Sequence, residues 1–154
     1  MESLNAFLLE RTGGEKYATI VYCLLDRSGR LSYVNAAHCP PLVIRPNGEL
    51  AELKTTGMPV GLLEGAEFEL AERCLTPGDK LLIYSDGVTE AQNGAGAFFG
   101  KQRLRDVAAA NAAGSCSALH DAIAAAVTAF TESAPQSDDI TMVVLEYTPA
   151  SPSV

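Results

Sequence analysis

No apolar run in this chain approaches the 18 or more residues that a membrane-spanning helix needs, because Asp, Arg, Gly or Pro interrupts every candidate. The first ten residues, MESLNAFLLE, put Glu2 and Glu10 where a secretory signal has a basic start and a clean apolar stretch, so a cytoplasmic location is expected. The sequence is also short of positive charge. Eleven Lys and Arg face 19 Asp and Glu, for a net charge of −8. That balance excludes a sequence-independent nucleic-acid binder, which needs a basic patch for phosphates. The four cysteines, Cys23, Cys39, Cys74 and Cys116, form no C-x-x-C pair. A zinc site or a redox dithiol is thereby excluded, and four free thiols are expected, with Cys23 a small core hydrophobe.

What remains is an ordinary globular composition. Hydrophobic residues make up 47% and charged residues 19% of 154 positions, one domain's worth of chain, able to bury roughly 70% of its unfolded surface. The order of elements is informative. Leu4 to Leu9 reads as the end of a helix closed by Gly13-Gly14. Ala18 to Leu25, β-branched and apolar, reads as a buried strand, and with Leu31 to Asn35 it forms a hairpin about the turn Asp26-Arg27-Ser28-Gly29. Leu42 to Ile44 and Glu49 to Leu53 flank the turn Pro46-Asn47-Gly48, and Glu67 to Arg73 suits a partly exposed strand before the tight turn Thr76 to Asp79. Two continuous apolar runs, KLLIY (Lys80–Tyr84) and ITMVVLEY (Ile140–Tyr147), are expected to be strands covered on both faces. Between them the pattern predicts helices over 101–112 and 117–131, the second with Leu119, Ile123, Val127 and Phe130 on one face and Ser115 or Ser117 as N-cap. Strands in hairpin order followed by helices and a last strand give an α+β class with mainly antiparallel sheets.

The chemistry gathers at two places. Asp86 follows the C-terminal end of KLLIY in the stretch Tyr84-Ser85-Asp86-Gly87, and Asp138 and Asp139 immediately precede ITMVVLEY. Were the two strands antiparallel neighbours, the acids would emerge at one edge of the sheet. Two carboxylates about 4–5 Å apart repel by roughly 3–4 kcal/mol at an effective dielectric near 20. Such a cluster favours a proton or a divalent cation, and all-oxygen ligation suits Mg²⁺ or Mn²⁺ rather than zinc. Gly87 would let the chain turn sharply and let a hydrated ion approach. The residues alone favour a plain turn over a metal site, since Asp and Gly are common turn formers. His38, just before Pro40-Pro41 in the loop N-A-A-H-C-P-P, reads as a loop-bonding residue, with a general acid as the alternative. His120 reads as a surface residue, Phe98-Phe99-Gly100 as a packing anchor, and Lys101, Arg103 and Arg105 as a solvated helix face.

Taken in order, the blocks NAAHCPPL (Asn35–Leu42), GMPVGLL (Gly57–Leu63), PGDKLLIYSDGVTEA (Pro77–Ala91) and SDDITMVVL (Ser137–Leu145) resemble the PPM phosphatases, in particular the bacterial stage II sporulation E-like branch. The resemblance covers about Leu4 to Tyr147. It implies an antiparallel β-sandwich flanked by helices, and a metal-dependent protein serine/threonine phosphatase in which two Mn²⁺ or Mg²⁺ ions activate a water for attack on phosphorus. By position, Asp86 and Asp138 match metal ligands of that family, while Asp139, Gly87 and His38 take supporting places and no residue is assigned as catalytic. The implied substrates are phosphorylated regulators of the anti-anti-sigma type in partner-switching pathways.

One departure matters. The family's first motif, a bridging aspartate just before glycine-histidine-glycine, has no counterpart here; Asp26, the nearest candidate, sits in the hairpin turn. The chain is accordingly read as a partial domain over residues 1–147 lacking the N-terminal strands, with a flexible tail at 148–154. One weak metal site and little turnover alone are expected of it. Its alternative role is a catalytically silent module that binds a phosphoprotein or a partner. Missing strands would leave an unpaired sheet edge, so a homo-oligomer is expected.

Overall fold

A tight Asp26 turn sets the register of the first sheet. In the computed structural model, which describes residues 1–136 and 138–149, one Asp26 carboxylate oxygen accepts the Ser28 N–H (2.8 Å) and the Arg30 N–H (3.1 Å). The Ser28 hydroxyl, donating to that oxygen as well, is the main cause holding the Asp26 carboxyl below its ordinary value. Both oxygens are thus occupied by the turn and its Arg30 ion pair. The turn joins β1 (Ile20–Leu25) to β2 (Arg30–Ala36) with Ile20 opposite Ala36 and Leu25 opposite Leu31. Strand β5 (Ala71–Cys74) pairs antiparallel with the far side of β2.

This sheet belongs to the first of two units, built mainly from Met1–Pro40 and Leu53–Pro77. Its helix α1 (Glu2–Thr12) ends on Gly13 in the left-handed conformation, as the sequence indicated. Leu4 and Phe7 of α1 are exposed, and Asn5 is its buried residue. The Asn5 side chain accepts the Gly61 N–H (2.7 Å) and donates to the Leu63 carbonyl (3.0 Å), which seats the helix on that loop. Gly61 has φ +86° and no room for a side chain: an added Cβ would lie 2.5 Å from Leu8. Cys23 is half-buried in β1, and burial pushes its thiol up, as fits a small apolar filler. Among the described residues no disulfide joins any of the four cysteines.

The second unit, Pro41–Glu52 and Gly78–Thr148, holds the other sheet and three helices. Strands β4 (Leu50–Glu52), β3 (Leu42–Ile44), β6 (Lys80–Tyr84) and β7 (Met142–Glu146) lie in that order, all antiparallel. β3 and β6 are buried almost throughout, each full-size aliphatic side chain contributing about 1.5–3 kcal/mol. Lys80 is buried too. Its ammonium donates to the Ala112 carbonyl (3.0 Å) and lies 3.5 Å from Glu146, its cross-strand partner. Helix α2 (Asp86–Thr89) is one turn long; α3 (Gly100–Ala110) and α4 (Cys116–Thr131) pack on each other, and α4 also meets β7. Ser115 caps α4 by accepting the Ala118 N–H.

Both sheets being antiparallel with helices alongside, the α+β class holds. Three expectations fail. β1 is not a buried strand: Tyr22, Leu24 and Leu25 are exposed, since it is the end strand of its sheet. β7 is not covered on both faces: Val143 and Leu145 are 45% and 49% exposed. It is the last strand of its sheet, and with a period of two only alternate residues can face inward. The basic residues of α3 are not simply solvated either. Arg103 stacks over Phe130 at 4.6 Å and donates to the Phe99 carbonyl, and Arg105 pairs with Glu52 at 2.8 Å. Phe99 is the buried anchor, edge-on to Phe130, whereas Phe98 is exposed. His120 lies half-exposed beside Asp121. Of the expected tail, residues 150–154 fall outside the described ones.

After β2 the chain turns through Ala37, which has φ 57°. A left-handed non-glycine residue costs about 1–2 kcal/mol, partly offset by the smaller entropy of an unfolded alanine. Ala37→Gly is therefore expected to raise stability by about 0.5–1 kcal/mol in chemical denaturation. A loss of similar size would show instead that the Ala37 methyl group packs usefully.

Candidate metal centre

β6 ends at Tyr84, directly opposite Met142, the first residue of β7. The next residue on each chain segment leaves the sheet, and Ser85 ties the two together. Its backbone N–H donates to the Thr141 carbonyl (3.0 Å), its hydroxyl accepts the Thr141 N–H (2.9 Å), and the same hydroxyl donates to the Asp139 carbonyl (2.9 Å). With extended backbone angles Ser85 is also the N-cap residue of α2, whose first residue is Asp86. One serine thus fixes both acidic segments at the same end of the sheet.

Gly87 closes the arrangement. A Cβ at this position would lie 2.3 Å from the Asp139 carbonyl oxygen and 2.9 Å from its carbon, closer than any side chain tolerates. The sequence assigned Gly87 to a sharp turn and an approaching ion; its φ is not in the left-handed region, and what approaches is the backbone of Asp139.

The carboxylates themselves face outward. Asp86, Asp138 and Asp139 are all exposed, and among the described residues no Lys or Arg pairs with them. One Asp86 oxygen accepts the N–H of Gly87 (3.1 Å), and one Asp138 oxygen that of Asp139 (2.7 Å). The Asp138 carbonyl is held by the Gln136 side-chain amide at 2.7 Å. Asp86, Gly87, Asp138 and Asp139 are therefore brought to one place, as the strand argument required. His38 lies in the first unit. Its N–H donates to the Asn35 side-chain oxygen (2.8 Å) and its Nδ1 sits 3.2 Å from the Thr19 hydroxyl, contacts of a loop-bonding residue. Asn35, fully buried, also donates to the Leu53 carbonyl.

The donor set can be tested against a divalent cation on its chemistry. Asp86 and Asp138 offer hard, solvent-facing oxygens, and Mg²⁺ is commonly held by one or two carboxylates with water completing its shell. Among the described residues no group of three or more His, Cys, Asp or Glu side chains is assembled. The residues fit a hydrated ion held from one side, and do not by themselves make an enclosing cage. Sequence reasoning missed Ser85. No local signal marks it, because its hydroxyl makes no helix cap and its partners Asp139 and Thr141 lie more than fifty residues along the chain.

A family model for stage II sporulation protein E (SpoIIE) matches residues 1–148. The chain is 35% identical over 130 residues to protein IcfG of Synechocystis, covering 84% of this chain and 20% of that one. It is 36% identical over 75 residues to the phosphoserine phosphatase RsbP of Bacillus subtilis, covering 48% of this chain and 19% of that protein. Among solved structures, the RsbU and RsbW domains of Rv1364c from Mycobacterium tuberculosis match with a TM-score of 0.76 and 27% identity, over 98% of this chain and 42% of theirs. The chain spans about a fifth of the curated relatives' length. With its two antiparallel sheets and its acidic sheet end, the chain belongs to the SpoIIE family of PPM-type protein serine/threonine phosphatase domains.

Proposed function

We propose that this chain is the phosphatase portion of a bacterial signalling protein and acts on phosphoserine or phosphothreonine in a regulatory protein of the anti-anti-sigma type. The observation that carries the reading is the Ser85 clamp, which holds Asp86 and Asp138 at one end of the β6–β7 pair. The kinship with a phosphoserine phosphatase and with RsbU and RsbW domains supports the substrate class. Asp86 and Asp138 would hold Mn²⁺ or Mg²⁺, with Asp139 and Gly87 fixing the loop between them. When bound, such an ion polarises water and offsets charge on the phosphoryl oxygens. Asp86 and Asp138 also place negative charge where an unshielded phosphate would be repelled, so phosphate binding depends on their neutralisation. The His38 contacts support a structural role for that residue.

Two carboxylates without a bridging third support weak binding of a single ion and slow turnover by this chain alone. The same observation favours a second reading, a module that binds a phosphoprotein without hydrolysing it. The two separate on Mn²⁺-dependent hydrolysis of an aryl phosphate: slow turnover abolished by Asp86→Ala supports the enzyme, and none from folded protein supports the binding module.

Three outcomes are expected. Asp86→Ala or Asp138→Ala weakens Mn²⁺ binding, followed by electron paramagnetic resonance, by at least about tenfold, the lower end of what even outer-shell partners contribute. Unchanged binding in both variants would remove them as ligands. Gly87→Ala forces the Asp139 backbone away, costing about 1–3 kcal/mol of stability and lowering Mn²⁺ affinity along with it. Finally, among the described residues nothing pairs with the outer edge of β1, where Tyr22 and Leu24 are 51% and 57% exposed, or of β7. Open apolar edges support self-association, and light scattering at micromolar concentration is expected to give a dimer or larger; a monomer would count against it.

A further inference from the structure

A cavity of about 200 Å³ adjoins the candidate centre within the second unit, and Gly87 and Asp138 form part of its wall. The remainder comes from Ala91 and Gln92, beyond α2, from Val127, Thr128 and Thr131 on α4, and from Ala134, Pro135, Gln136 and Ile140. The wall carries no Lys, Arg or His, and Asp138 is its one charged side chain. Its hydroxyl donors are already engaged: Thr128 donates to the Ala124 carbonyl (2.9 Å) and Thr131 to the Thr128 carbonyl (3.2 Å). The Gln136 amide is likewise committed to Asp138. What is left to meet a guest is the apolar surface of Ala91, Val127, Ala134, Pro135 and Ile140, with the Gln92 amide beside it.

A phosphorylated residue docked at Asp86 and Asp138 brings its chain neighbours within one or two Cα spacings, each about 3.8 Å, of this wall. We propose that the cavity is a specificity pocket for an aliphatic side chain next to the phosphoserine of a protein substrate, and that it discriminates against an acidic one. The inference rests on the phosphatase reading for the placement of the phosphoserine. The volume corresponds to about six or seven waters at liquid density, and displacing poorly held water with an apolar group favours binding. An acidic side chain entering there gives up its water with no Lys, Arg or His in the wall to pair with it.

The test uses fluorescent phosphoserine peptides that differ only in the flanking residues, Leu, Gly or Asp, titrated with the whole chain in the presence of Mn²⁺ and followed by anisotropy. The Leu-flanked peptide is expected to bind about tenfold more tightly than the Gly-flanked one, and the Asp-flanked peptide more weakly than either. Thr128→Trp, at an exposed position on α4, fills the cavity and should bring the Leu and Gly peptides within about twofold of each other. Ala134→Leu, in the loop, does the same from the other wall, and melting curves confirm that each variant is folded. Equal affinities for the Leu and Gly peptides in the wild type, a Leu preference that survives both variants, or no peptide binding would each overturn the pocket. A Leu preference that is abolished by the variants, in a chain that hydrolyses no aryl phosphate with Mn²⁺, would uphold the pocket and strike the catalytic reading alone.

Discussion

The candidate centre depends on the pairing of Tyr84 with Met142 and on what Ser85 does one residue later. Antiparallel neighbours place the end of one strand beside the start of the other, so two acidic segments far apart in sequence meet at one sheet end. Meeting there is not favourable on its own, because exposed like charges repel. The opposing contribution is local: three Ser85 hydrogen bonds, each worth about 0.5–1.5 kcal/mol net, join the two segments just behind the carboxylates. The missing side chain at Gly87 then lets the backbone of one segment lie against the other. Rigid backbone with outward-facing acids is the arrangement expected of a site whose charge is balanced from solvent rather than from the protein.

Much of this was legible in the sequence because turn chemistry is short-range. Asp26 to Gly29 contains the side-chain cap that builds the hairpin, and Gly13 stops α1 for the reason any left-handed glycine stops a helix. The run KLLIY gave a buried strand, and the spacing of Leu119, Ile123 and Val127 gave the inner face of α4. The illegible parts are those set by neighbours rather than by the residues themselves. ITMVVLEY has the same composition as a central strand, and only its place at the end of the order β4-β3-β6-β7 leaves Val143 and Leu145 exposed. Arg103 and Arg105 look like any charged helix face until Phe130 and Glu52 come within reach through the fold.

The site was legible to a similar depth. Asp86 and Asp138 could be named, and their convergence followed once two strands were taken as antiparallel neighbours. Gly87 could be named but not explained, since the carbonyl of Asp139 that forbids its side chain belongs to a segment some fifty residues away. His38 had two readings in the sequence, and its bonds to Asn35 and Thr19 favour the structural one. Lys80 was counted simply as part of an apolar run. Burying its ammonium is tolerable only because the Ala112 carbonyl and Glu146 meet it, and neither partner is visible from the local pattern.

A donor set of two exposed carboxylates has a consequence for selectivity. An ion held there from one side would keep most of its water, so such a centre would contribute charge at one point and little geometry. On the proposed reading, a phosphate attracted there would not be distinguished by the ion from any other phosphate. Discrimination among phosphoproteins would then come from surfaces that touch the residues beside the phosphate, and within this unit a surface continuous with Asp138 is the cavity wall formed with Val127, Ala134 and Ile140. The division follows from the physical range of the two effects. Coulomb attraction gathers anions over a Debye length of about 8–10 Å, whereas burial of a methyl group is felt only on contact.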